Sequence, residues 1–153
     1  MTQNLEAMLP VLLPGAISWV KEQSELILKT GLPLTDIGVR LAQAVGVSCP
    51  EKIRICHVPQ LPLPDDPMLR EVAVQTGLLG PNMAGITFEY GIYICDGHMT
   101  NRLISHECRH VYQYETAGSI GTFLPIYLHQ IATVGYDNAP YEIDAREHEQ
   151  DVA

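Results

Sequence analysis

Apolar and polar positions along this chain follow two periods in turn, and the points where one gives way to the other divide it into helices, a small sheet and helices again. From Ser18 to Leu28 the apolar Trp19, Val20, Leu26 and Ile27 are mixed with Lys21, Glu22 and Glu25. That mixture predicts a helix, which Gly31 and Pro33 stop. A second helix is expected from Thr35 to Val45, capped by Thr35 and closed by Gly46. "KIRICHV" then alternates long enough for a strand. In "LPLPDDP", Leu61 to Pro67, the closely spaced prolines predict an exposed loop without regular structure. "MLREVAVQTG" predicts a short helix closed by Gly77. "GITFEYGIYICDG" holds two β-rich runs, Ile86 to Glu89 and Gly91 to Cys95. Gly91 marks either a bulge or a close approach of another segment.

Ahead of these elements lies an apolar run, "MLPVLLPGAISWV", Met8 to Val20. It has no preceding positive charge, two prolines interrupt it, and it is too short to span a bilayer, so a signal or membrane segment is not expected. The run is read as an opening segment that packs on the core, and the default location is cytoplasmic. The 153 residues suit one domain, 1–153, with a helical part over about 1–48 and a chemistry-bearing part over about 84–150. The expected class is α+β with a small antiparallel or mixed sheet.

Hydrophobic content of 46% with 18% charged residues favours a folded body over a disordered one. Nine Lys+Arg against eighteen Asp+Glu give a formal charge of -9, which repels phosphate backbones and anionic lipid. Neither nucleic acid nor membrane is expected as a partner. Cys49, Cys56, Cys95 and Cys108 form no C-x-x-C pair and are expected to be structural thiols. A second metal site from Cys56, His57, Cys49 and Cys95 is conceivable, but no spacing asks for it.

The chemistry concentrates in "SHECRHVYQYE", Ser105 to Glu115. After a turn at Asp96-Gly97, with Thr100 or Asn101 as cap, a helix is expected from about Arg102 to Thr116, ending at Ala117-Gly118. On it His106 and His110 stand one turn apart, so both imidazoles project toward a point that a metal can occupy. Glu107 sits beside them, within reach of a metal-bound water. Random placement would yield H-E-x-x-H in roughly one such chain in sixty, and the helical setting lowers that.

Zinc-assisted hydrolysis needs a third protein ligand and leaves the fourth position to water, whose pKa the ion lowers to about 7. In "GYDNAPYEIDAREHE", Asn138 or Asp137 is expected to cap a helix with Pro140 in its first turn and Glu142 inside it. Glu142, Ala145, Arg146 and Glu149 share one face, and Ala145 is small enough for the histidine helix to approach. Glu142 is therefore the expected third ligand, and Asp144 with His148 an expected surface pair. The H-E-x-x-H-x-x-G-x-x-H arrangement is excluded, because Gln113 and Thr116 stand where it needs glycine and histidine. "GTFLPIY" from Gly121 offers no aspartate ligand.

"HECRHVYQYETAGSI", followed after one helix by "GYDNAPYEIDAR", resembles a group of small bacterial gluzincin-like proteins in which H-E-x-x-H-V-x-Q-Y-E precedes P-x-E-x-E-A. The resemblance covers roughly Gly85 to Arg146. It implies a minimal zincin-like fold with an edge strand over the H-E-x-x-H helix, His106, His110 and Glu142 holding Zn2+, and Glu107 as general base. "GITFEYGIYI" is the candidate edge strand, either pairing with extended substrate or serving as a plain hairpin. One departure stands out: where gluzincins often place an aspartate four residues after the ligand glutamate, this chain has Arg146. Support for the first histidine must then come from elsewhere, Asp144 or a backbone carbonyl.

The expected activity is that of a zinc metallopeptidase acting on a peptide or protein substrate. Two alternatives stay open: a non-catalytic zinc-binding interaction or regulatory module, and an amidase on a non-protein substrate. The oxyanion donor is expected among Tyr136, Tyr141, His129, Tyr114 and Arg102. His57, His98 and the oligomeric state are left unassigned.

Overall fold

A computed structural model describes residues 5–151. It is an α+β fold of six helices and one four-stranded mixed sheet. The helices are α1 (Leu5–Thr30), α2 (Asp36–Ala44), α3 (Pro67–Gln75), α4 (Asn101–Ala117), α5 (Ile120–Val134) and α6 (Pro140–Glu147). The strands are β1 (Leu32–Pro33), β2 (Arg54–Val58), β3 (Gly85–Phe88) and β4 (Gly91–Cys95), in the spatial order β1-β2-β4-β3. No helix among the described residues is long and apolar enough to cross a membrane.

The central strand β4 pairs in parallel with β2 and antiparallel with β3. Helices cover both faces, and all five β4 residues are buried, as expected of a strand packed on two sides. Tyr93 and Cys95 face a core that contains Val20 and Ile27 of α1. Ile92 and Ile94 face Leu41 and Ala42 of α2 and Ile104, Cys108 and Val111 of α4. Register therefore decides what each β3 residue meets. Thr87 lies opposite Ile92 and shares the α4 side, whereas Phe88 lies opposite Gly91 on the α1 side.

Gly91 is a point of close approach: a Cβ built there would lie 2.9 Å from the Ile27 Cβ. The hairpin turn starts one residue earlier than the sequence pattern indicates, because Glu89 takes a positive φ of 65° and leaves the strand. Thr35 caps α2 and Thr100 caps α4 through their side chains, and Gly46, Gly77 and Gly118 follow their helices with positive φ. The predicted α2, α3 and α4 thus stand within a residue or two.

Two expectations need correction. The first helix starts at Leu5, not Ser18, and takes in Pro10 and Pro14. Both prolines are exposed, on the face where water can pair with the carbonyls they release. Leu5, Leu9 and Leu12 are buried on the other face, so the opening segment does pack on the core. Burying the three leucines contributes about 4.5–9 kcal/mol in all, of the same order as the cost of about 6 kcal/mol for the two prolines. The proline-rich stretch is likewise less exposed than expected. Leu61 and Pro64 are buried, and Pro67 already belongs to α3, whose first turn Asp66 caps by accepting from the Leu69 amide at 2.9 Å.

Candidate metal centre

Helix α4 carries both histidines toward α6, and the small Ala145, fully buried, lets the two helices close up. Pro140 occupies the first position of α6, as its fixed φ favours. Neither Asn138 nor Asp137 caps that helix. Ala139 holds the cap position without a side-chain bond, and Gln130 Oε1 takes the Tyr141 amide at 2.9 Å instead. The first turn is thereby tied to α5, and Glu142 is directed inward.

His106, His110 and Glu142 come together, each offering an atom within 4.8 Å of the others. His106 Nε2 lies 3.2 Å from Glu142 Oε1, and His110 Nε2 lies 3.1 Å from Glu142 Oε2. These separations are close to the edge of a tetrahedron, about 3.3 Å for bonds of about 2.0–2.1 Å to zinc. Glu142 is 2% exposed. The group can hold a metal ion.

The outward ring nitrogens are held as metal-ligating histidines require. His106 Nδ1 is 2.8 Å from Glu149 Oε2, and His110 Nδ1 is 2.7 Å from Gln113 Oε1. Gln113 in turn donates through Nε2 to Asp144 Oδ2 and to the Tyr141 carbonyl, both at 2.9 Å. Arg109 fixes Asp144 through Nε at 2.8 Å, and Arg102 fixes Glu149 through Nε at 2.7 Å. Asp144 is thus more than half of a surface pair. It approaches His148 at 3.4 Å, but its carboxylate chiefly anchors α6 to α4. The first histidine's support comes from Glu149, seven residues after Glu142, rather than from Asp144 or a backbone carbonyl.

Charge on the trio follows from this crowding. Burial alone would raise the Glu142 pKa, but the charge of His110 and hydrogen bonds from His106, His110 and Tyr127 hold it well below the carboxylate range. Burial would lower His106, yet Glu142, Glu107 and Glu149 together raise it to about 9. Glu142 is an anion set between two imidazoles, a site whose protons a divalent ion would replace.

Glu107 is also buried. Its Oε1 accepts the Thr87 hydroxyl at 2.7 Å, and its Oε2 passes within 3.3 Å of where a Cβ on Gly85 would stand. Of "GITFEYGIYI", β3 is the edge strand and lies against Glu107, whereas β4 is central and pairs with it as a hairpin. Glu107, His110 and Glu142 share the wall of one cavity of about 110 Å³.

The five candidate donors separate clearly. Tyr136 and Tyr114 line that cavity. The Tyr114 hydroxyl is directed at the Thr87 carbonyl, 3.4 Å away, and its ring stacks on Phe123. Tyr141 stacks on Phe123 with centroids 4.7 Å apart, outside the cavity wall. His129 is exposed on α5, and Arg102 is bound to Glu149. Tyr136 lines the cavity beside the trio, and burial, the charges of Glu142 and Glu107 and a hydrogen bond to Glu142 push its pKa far up.

Tyr127 was not singled out by sequence. It donates to Glu142 Oε2 at 2.6 Å and fixes the ligand carboxylate from α5. The four cysteines are free thiols, and the trio is the group of metal-ligating side chains among the described residues. Cys56, His57, Cys49 and Cys95 do not form another. No protein-family model, curated protein or solved structure matches this chain.

Proposed function

We propose that this chain is a zinc-dependent hydrolase of a carboxamide bond, a peptide bond or a close chemical relative. The observation that carries the reading is that Glu107 and two of the three ligand side chains open onto one cavity, with the histidines braced from behind. When bound, the ion supplies a Lewis acid that polarises the carbonyl and acidifies water.

The residues of the chain do the rest. Glu107, its Oε1 held by Thr87, keeps Oε2 free to take a proton from water and return it to the leaving nitrogen. Tyr136 donates a hydrogen bond to the oxygen on which negative charge develops. Tyr127 holds Glu142 so that it ligates in one orientation. The gluzincin-like resemblance agrees with these roles and adds the peptide as the first substrate to try.

The test compares wild type, Glu107→Gln and His106→Ala after purification from zinc-supplemented medium. One zinc per chain is expected in wild type and Glu107→Gln, and substoichiometric zinc in His106→Ala. Amide hydrolysis is expected in wild type alone. Zinc content unaffected by His106→Ala, or hydrolysis that survives Glu107→Gln, overturns the proposal. A protein that keeps its zinc, unfolds on chelation and cleaves nothing is instead a metal-stabilised binding module.

A further inference from the structure

The cavity that meets the trio continues far beyond it. Its wall includes Leu5, Leu9, Leu12, Ala16 and Val20, spaced four, three, four and four along a single face of α1. Those fifteen steps of helix cover about 22 Å. From the other sides α3, α5 and β3 complete the wall. The space is therefore an elongated chamber onto which His110, Glu142 and Glu107 open.

Its chemistry is uneven along that length. The polar side chains Glu107, His110, Glu142, Thr87, Tyr127 and Tyr136 gather around the trio. Elsewhere the wall is hydrocarbon, the Met83 thioether, the Trp19 indole, the Tyr114 phenol, whose hydroxyl is directed at the Thr87 carbonyl, and Thr76, whose hydroxyl is already bonded to the Val72 and Ala73 carbonyls. No lysine or arginine lines it. Apolar cavities of comparable size, about 150 Å³, stay dry and take up neutral hydrocarbon.

These features decide between occupants. A peptide backbone inside the chamber would bury amides against α1, α3 and α5, whose own backbone groups are spent within the helices. Only β3, beside Glu107, presents a strand edge. A free carboxylate or phosphate would find no cation along the walls. A linear aliphatic chain meets neither objection.

We propose that the substrate is an N-acyl amide whose unbranched acyl chain fills the chamber, with the amide carbonyl beside Glu107 and its nitrogen on the β3 side. This rests on the hydrolase reading and names its substrate class. In the reaction water oxygen bonds to the acyl carbon and the carbon–nitrogen bond breaks. Both water protons end on the nitrogen, the first through Glu107 and the second from the carboxylic acid so formed, and the products are a fatty carboxylate and a protonated amine. No oxidant or second substrate is needed.

The experiment separates binding from turnover. Zinc-loaded Glu107→Gln protein is titrated with the neutral dye N-phenyl-1-naphthylamine, which brightens in dry surroundings, and acetyl-, butanoyl-, octanoyl- and dodecanoylglycine compete for it. Affinity is expected to rise about threefold to fourfold per methylene until the chamber is full. Ala16→Phe is expected to shorten the longest chain that gains affinity. Leu9→Phe, elsewhere on the same α1 wall, should shorten it as well, and serves if Ala16→Phe does not fold by circular dichroism. Wild type should hydrolyse the same compounds in the same order.

Competition independent of chain length, or a capped phenylalanine dipeptide competing as well as octanoylglycine, overturns the proposal and leaves a side-chain pocket. Hydrolysis of short peptides together with that result leaves the hydrolase reading intact. Chain-length-dependent binding without hydrolysis by wild type sinks the hydrolase reading while the chamber's occupant stands.

Discussion

The Thr87 hydroxyl donates to the Glu107 carboxylate across 2.7 Å, from the edge strand to the helix beneath it. Both side chains are buried, at 6% and 4% exposure. Hydrogen bonds to charged groups contribute about 1.5–3 kcal/mol, and removing the donor leaves a buried carboxylate underpaired. Thr87→Val keeps the shape and removes the bond. Urea unfolding is expected to show about 1–3 kcal/mol of lost stability, and amide hydrolysis to fall about tenfold or more through misorientation of the base. Unchanged stability and turnover would mean that Glu107 is positioned by something else.

Glu149 and Gln113 touch the histidines only at the nitrogens that face away from Glu142. Substituting partners of this kind costs about 10–100-fold in metal affinity. Glu149→Gln and Gln113→Leu are each expected to weaken zinc binding by that factor, measured by competition with a chromophoric chelator. Equal affinity in all three proteins would remove the histidine braces from the account of the site.

Stripping the metal has a thermal signature. At free zinc a thousandfold above its dissociation constant, binding stabilises the folded state by about 4 kcal/mol. For a chain of this length that corresponds to a rise in Tm of about 8–16 °C. Chelation is expected to lower Tm by this amount, and zinc to restore it. His110→Ala, whose side chain is otherwise enclosed, should show no such response. A Tm indifferent to zinc in wild type would exclude a folded-state site.

Burial, assisted by the charge of Glu107, pushes the Cys108 thiol up to about 12. Only the thiolate reacts with alkylating agents, and its share falls tenfold for each unit of pH below the pKa. At pH 8 iodoacetamide is expected to modify the half-buried Cys49 and Cys56 in the native protein and to spare Cys108, as read by peptide mass spectrometry. Early modification of Cys108 would show that the α4 core opens readily.

Much of the centre was legible because its spacing is local. His106 and His110 are fixed by one helical turn, and Glu142 by a proline that sets the start of α6. The β4–α4 order and the caps at Thr35 and Thr100 follow from residues adjacent in the chain. The face expected to join Glu142, Ala145, Arg146 and Glu149 holds only for Glu142 and Ala145: Arg146 is exposed, and Glu149 lies past the last residue of α6, so that its approach to His106 is tertiary. Tyr127 was hidden for the same reason, since nothing near Phe123 signals a carboxylate arriving from another helix. Gln113 could have been found: it stands three residues after His110, one turn along the same face. The long first helix was missed because a proline's penalty is local, whereas the leucine burial that outweighs it depends on partners such as Leu69 and Val72.

The residues just past α6 act as a clasp. Glu149 grips His106 and Arg102, and the Gln150 amide donates to the Ser105 hydroxyl oxygen at 2.8 Å. A chain cut after Glu147 would retain His106, His110 and Glu142 yet release the His106 imidazole from its brace. Any ion that the trio can hold would thereby depend on the seating of a few residues that contribute no ligand at all.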